Sequence, residues 1–124
     1  MRKLLLSLLM LPALAWAAQP ISAEALLAKA QPPLVLDVRS PEEFMAGHVP
    51  GAINIPHTDI PKHLKSLAAA RHQELVVYCR SGRRAQLAIT ALEADGFDQV
   101  KHLQGDWLGW QEAKLPVETG EEQP

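Results

Sequence analysis

The chain carries one cysteine, one tyrosine and two phenylalanines in 124 residues, and aromatic residues make up only 5% of it. A single cysteine excludes an internal disulfide, so that thiol is either a small buried hydrophobe or a free reactive group. The five histidines, His48, His57, His63, His72 and His102, form no metal-ligand spacing with Cys79 or with one another, so no metal and no other cofactor is expected. There is no internal repeat and no low-complexity segment. The longest apolar stretch, Leu4 to Ala18, spans 15 residues, short of the roughly 20 that cross a bilayer as a helix. An excess of positive charge is also missing. With 12 basic and 14 acidic residues the formal charge is −2, a poor basis for binding nucleic acid or an acidic membrane.

What is present begins with targeting. Arg2 and Lys3, the apolar run Leu4 to Leu11, then Pro12 and the small residues Ala15 and Ala17 make the three-part pattern of a signal peptide over residues 1–17. Cleavage after Ala17 or Ala18 is expected. The first choice removes two of the 12 basic residues and none of the 14 acidic ones, leaving a mature charge of −4. The mature chain has the length of one domain with one core, residues 18–117, followed by a loose acidic tail, 118–124. It is expected to be an exported monomer without stable membrane contact. In an oxidising compartment an exposed thiol is a liability, which favours a chemical purpose for Cys79.

Along the mature chain, Ser22 caps a first helix with Leu26 and Leu27 on its buried side. Leu34 to Val38 reads as a buried strand. Ser40-Pro41-Glu42-Glu43 is a helix start, with Ser40 as N-cap, Pro41 at the first helical position and Glu43 completing a capping box. Ala52 to Ile55 is a second strand; Ile60, Leu64, Leu67 and Ala68 recur at helical spacing. Leu75 to Tyr78 is a third strand. Arg83 to Asp95 is a helix burying Ala85, Ala88, Ile89 and Leu92 and stopped by Gly96. Gln99 to Leu103 is a fourth strand, and Trp107 and Trp110 anchor a last helix in the core. Strands alternating with helices predict an α/β fold, a mostly parallel central sheet of about four to five strands with helices on both faces. In such sheets ligands bind at the carboxyl ends of the strands. Asp37-Val38-Arg39, Pro56-His57 and Cys79 all follow strand ends.

Cys79-Arg80-Ser81-Gly82-Arg83-Arg84 is the stretch where chemistry concentrates. A cysteine attacks as its thiolate, and the ordinary thiol pKa of about 8.5 leaves little thiolate at neutral pH. Three features favour the anion: the permanent charges of Arg80, Arg83 and Arg84, a loop whose N–H groups turn inward through Gly82, and the positive end of the following helix. Three arginines also argue against burial as a mere hydrophobe. Cations at a helix N-terminus are unfavourable, so something negative should offset them.

The pattern Cys79-x-x-Gly82-x-Arg84 followed by a helix resembles the active-site loop of the rhodanese family of sulfurtransferases. So do Leu36-Asp37-Val38-Arg39, Glu43-Phe44, Gly47 through Ile55, and the ending Trp107 to Val117. The signal-peptide pattern leads to the expectation that the mature protein is periplasmic, and the resemblance is closest to small single-domain exported bacterial rhodaneses. It implies sulfur transfer from thiosulfate or a similar donor to cyanide or a thiol, through a persulfide on Cys79. It further implies that Arg80, Ser81, Gly82, Arg83 and Arg84 bind the substrate, and that Asp37 and Arg39 support the loop. The partners would be a small-molecule donor and acceptor. One departure is Asp106, where a second glycine is common; it is expected to touch no chemistry.

A different class of function is a sulfur carrier working with a protein partner, which uses the same cysteine and loop. The remaining rival is a cysteine phosphatase or arsenate reductase. Those phosphatases place an arginine six positions after the cysteine, where this chain has Ala85.

Overall fold

A computed structural model describes residues 18–120; the signal-peptide reading of residues 1–17 lies outside them. Five strands are described: β1 (Gln19–Ile21), β2 (Leu34–Asp37), β3 (Ile53–Asn54), β4 (Leu75–Tyr78) and β5 (Val100–Leu103). Five α-helices connect them: α1 (Ala23–Leu27), α2 (Pro41–Ala46), α3 (Ile60–Leu67), α4 (Arg83–Ala94) and α5 (Asp106–Glu112). The strands form one sheet in the order β1-β5-β4-β2-β3, every pair parallel.

Side chains alternate across a strand, and here the alternation feeds two cores. Leu36, Val38, Leu75, Val77, Cys79 and Val100 meet Ile60 and Leu67 of α3 and Ala85, Ala88, Ile89 and Leu92 of α4. Val35, Val76, Tyr78 and Leu103 meet Leu26 of α1, Phe44 of α2, and Trp107 and Trp110 of α5. Burial on both faces is why β4 reads as an unbroken apolar run. The Ser40–Glu43 capping box forms in full, with Pro41 opening α2.

Two expectations are corrected, and one strand is added. Leu27 is exposed, because α1 has only five residues and turns just Leu26 inward. The added strand is Gln19–Ile21, held by its parallel pairing with Lys101 to Leu103. Glu118 and Gly120 are not loose: Glu118 exchanges backbone hydrogen bonds with His48 at 2.8 and 3.0 Å, and Gly120 N–H donates to Met45 at 2.8 Å.

Because every strand runs the same way, Asp37, Pro56, Cys79 and Gly105 emerge at one edge of the sheet. His57 N–H donates to the Val38 carbonyl at 3.0 Å, which fastens the segment after β3 to the end of β2.

Candidate active site

Cys79 follows β4 and is 1% exposed. The chain turns into α4 within three residues, and the turn closes because Gly82 takes a φ of 119°, a region that L side chains avoid. A Cβ at Gly82 would lie 3.3 Å from Asp106 Oδ2 and 3.5 Å from His102 Cε1. The turn aims two backbone donors at the thiol: Gly82 N–H reaches Cys79 Sγ at 3.0 Å and Ala85 N–H at 3.3 Å. The expected cradle of N–H groups from Arg80 to Arg84 therefore centres on Gly82, with Ala85 added. Behind these donors stands the N-terminus of a 12-residue helix. Donors and dipole together stabilise negative charge on the sulfur.

The loop side chains divide by exposure. Arg80, Ser81 and Arg83 are exposed at the rim, whereas Arg84 is half-buried. Arg84 forms a two-point pair with Glu43, at 2.7 Å to Oε1 and 3.1 Å to Oε2. Glu43 caps α2, as its place in the capping box predicts, and also supplies the negative offset that Arg84 needs. The Arg84 hydrogen bond, helped by Ser40, holds the Glu43 carboxyl down at about 2. A depressed carboxyl pKa means the tie is at full strength above the ordinary carboxylate range and is lost only as pH falls through about 2.

Asp37 and Arg39 make no hydrogen bond to a loop arginine among the described residues; what they hold is Tyr78, next to the loop. They form a buried pair, with Arg39 Nε donating to Asp37 Oδ1 at 3.0 Å and Nη2 to Oδ2 at 2.6 Å. Tyr78 O–H also donates to Asp37 Oδ2 at 2.6 Å and accepts Val49 N–H at 3.0 Å. Burial, then the Asp37 charge, pushes the Tyr78 hydroxyl far above its ordinary range. Arg39 donates to the Gly47 carbonyl at 2.6 Å and lies over the Trp107 ring at 4.7 Å. The pair thus fixes Tyr78, the residue before the thiol.

Asp106 contradicts its expected remoteness from the chemistry. Its Oδ1 accepts Cys79 N–H at 3.0 Å, and His102 Nε2 lies 3.0 and 3.1 Å from its two oxygens. Neither His102 nor Asp106 belongs to a motif that marks it as a site residue. The one available sign was an acid where a glycine is common.

Arg39, Glu43, Ala46, Gly47, Arg80, Trp107 and Gln111 line a cleft of about 230 Å³ beside the loop. Trp107 is both a core anchor and a cleft wall. A larger hollow of about 470 Å³ lies at the other end of α4, around Thr90, Glu93 and Phe97, away from the thiol. Position six after the thiol is Ala85, fully buried, which offers the sulfur an N–H and no guanidinium. That leaves the phosphatase reading without its oxyanion-holding side chain.

The pattern of rhodanese-like domains matches residues 19–113. A sulfurtransferase of Allochromatium vinosum is 33% identical over 91 residues, covering 73% of this chain and 83% of that protein. A senescence-associated protein of Raphanus sativus is 37% identical, and there the match spans about half, 51%, of the relative's length. Among solved structures, a rhodanese-related protein from Thermoplasma volcanium superposes with a TM-score of 0.72 at 30% identity, covering 81% of this chain and 97% of that one.

Proposed function

The chain belongs to the rhodanese family, and from that premise we propose that it is a sulfurtransferase moving a sulfane sulfur from thiosulfate to cyanide or a thiol. The observation that carries this reading is the convergence of the Gly82 and Ala85 N–H groups on the one cysteine sulfur of the chain. The Cys79 thiolate attacks the outer sulfur of thiosulfate. The S–S bond of the donor breaks, sulfite leaves with the bonding pair, and Cys79 holds a persulfide with its negative charge on the terminal sulfur. Cyanide or a thiolate then attacks that terminal sulfur and frees the Cys79 thiolate. Both steps pass through sulfur-centred anions, which preorganised N–H donors stabilise without reorganising. Arg80 and Arg83 at the rim attract the anionic donor, and Ser81 and Gly82 leave room for it. The carrier reading uses the same first step, with a protein thiol as acceptor.

The mature protein works in the periplasm, as a monomer and free of nucleic acid and membrane; the support is the pattern from Arg2 to Ala17 and the acidic balance of the rest. Among the described residues, no helix is long and apolar enough to cross a membrane.

Intact mass after thiosulfate treatment tests the relay. One added sulfur, removed by cyanide, is expected; an unmodified protein that instead releases phosphate from a phosphate ester would refute it. Steady turnover with thiosulfate and cyanide alone separates the enzyme from the carrier.

Arg84→Ala gives a second expectation. Its ion pair is about 30% exposed on each side, and pairs of that kind contribute at most about 1 kcal/mol, so melting shifts by no more than about 5 °C. Sulfur loading slows by about tenfold or more, because the variant frees the first turn of α4 that carries Ala85. A melt that collapses with the loading rate would make Arg84 purely structural.

A further inference from the structure

A charged pair at the end of β5 touches the nucleophile and has no part in the relay described above. Three hydrogen bonds stitch the start of α5 to the loop. Cys79 N–H donates to Asp106 Oδ1 at 3.0 Å, Trp107 N–H to the Cys79 carbonyl at 2.9 Å, and Leu108 N–H to the Arg80 carbonyl at 3.2 Å. Asp106 is 5% exposed and takes a φ of 52°, a left-handed conformation that glycine, asparagine and aspartate adopt more readily than other residues. His102, four residues earlier on β5, brings Nε2 to both carboxylate oxygens.

The other ionic groups around Cys79 are either paired or exposed to solvent. Arg84 on α4 feels the Cys79 charge but is taken by Glu43 of α2. Arg39 is taken by Asp37 of β2. Arg80 and Arg83 stand exposed at the rim, where water and salt screen them. What remains is the pair of His102 and Asp106, whose joint charge turns on one proton. With a neutral imidazole it is −1, and with an imidazolium it is zero.

We propose that His102 and Asp106 set the charge felt by Cys79, the carboxylate opposing negative charge on the sulfur and the His102 imidazolium cancelling that opposition. Both act through Cys79 without touching substrate, so they are positioning residues. The inference rests on Cys79 being the reactive nucleophile and is indifferent to which sulfur compound it meets.

Alkylation of Cys79 by iodoacetamide, small and uncharged, reads the thiol without any sulfur donor, so it stays informative even where sulfur transfer fails. The test uses the purified full chain at a mildly acidic pH, about 6. Asp106→Asn keeps an oxygen for Cys79 N–H and removes the charge; alkylation is expected to quicken about fivefold. His102→Gln keeps an N–H for the carboxylate and removes the imidazolium; alkylation is expected to slow about fivefold. Asp106→Gly, at ease with a left-handed φ, removes the same charge and carries the expectation should the asparagine variant fold poorly. A structural role would not split the signs, because loosening the fold around a buried thiol speeds alkylation in every variant. Opposite shifts support the proposal, and any other pattern overturns it.

Discussion

Cys79→Ser yields a folded protein that takes up no sulfur from thiosulfate, and its kcat/KM for thiosulfate and cyanide falls by at least about a thousandfold. The fold survives because the change is nearly isosteric. The serine hydroxyl occupies a site that is 1% exposed and accepts the same N–H bonds from Gly82 and Ala85 that now reach the sulfur. Chemistry does not survive, because a serine hydroxyl ionises far too weakly to attack sulfur and cannot form a persulfide. The measurement has one address: the chain holds a single cysteine, so an added sulfur in the wild type that vanishes in the variant can only have sat on Cys79. Sulfur uptake or turnover that persists in Cys79→Ser, at a melting temperature near wild type, would refute Cys79 as the nucleophile.

The same loop shows how far residues announce their own roles. Local rules were legible: the capping box at Ser40 and Glu43, the apolar run of β4, and the buried face of α4 all depend on neighbours within a few positions. The strand and helix alternation likewise implied a parallel sheet, and parallel strands brought the candidate residues to one edge. Contacts set by distant segments were not legible. Gln19–Ile21 contains a proline and one buried residue, so nothing in it signals a strand until β5 supplies a partner. Glu43 lies 41 positions from Arg84, and its capping role already accounted for it. Asp106 lies 27 positions from Cys79, and no spacing rule brings a residue of that last turn to the thiol. The expectation that something negative must offset the arginines was a physical demand without an address. Folding supplied Glu43 for Arg84 and left Arg80 and Arg83 to solvent. Asp37 is the reverse case: the resemblance assigned it to the loop, and its hydrogen-bond partners are Arg39 and Tyr78, so it bears on the loop through the residue before Cys79.

That buried pair carries the largest stability effect expected in the molecule. Asp37 is 0% exposed and Arg39 2%, so Asp37→Ala leaves a guanidinium in the interior with the Gly47 carbonyl and the Trp107 ring as its remaining support. It also leaves the Tyr78 hydroxyl without its acceptor. Breaking a buried ion pair from one side costs about 3–5 kcal/mol, a large part of the roughly 5–15 kcal/mol that holds a domain together. For a domain of about 100 residues this lowers the melting temperature by about 15–25 °C. The cost comes from the stranded cation, not from the lost attraction, because two charges taken from water gain little by meeting. Replacing both partners, Asp37→Leu with Arg39→Met, should therefore recover much of the loss, giving a strongly non-additive double-mutant cycle. Additive losses would mean that each residue contributes by separate packing. Sulfur loading need not recover with stability. The double variant still lacks the acceptor for Tyr78 and the guanidinium between Gly47 and Trp107, which are the contacts that tie β2 to the residue before Cys79 and to α5 beside it.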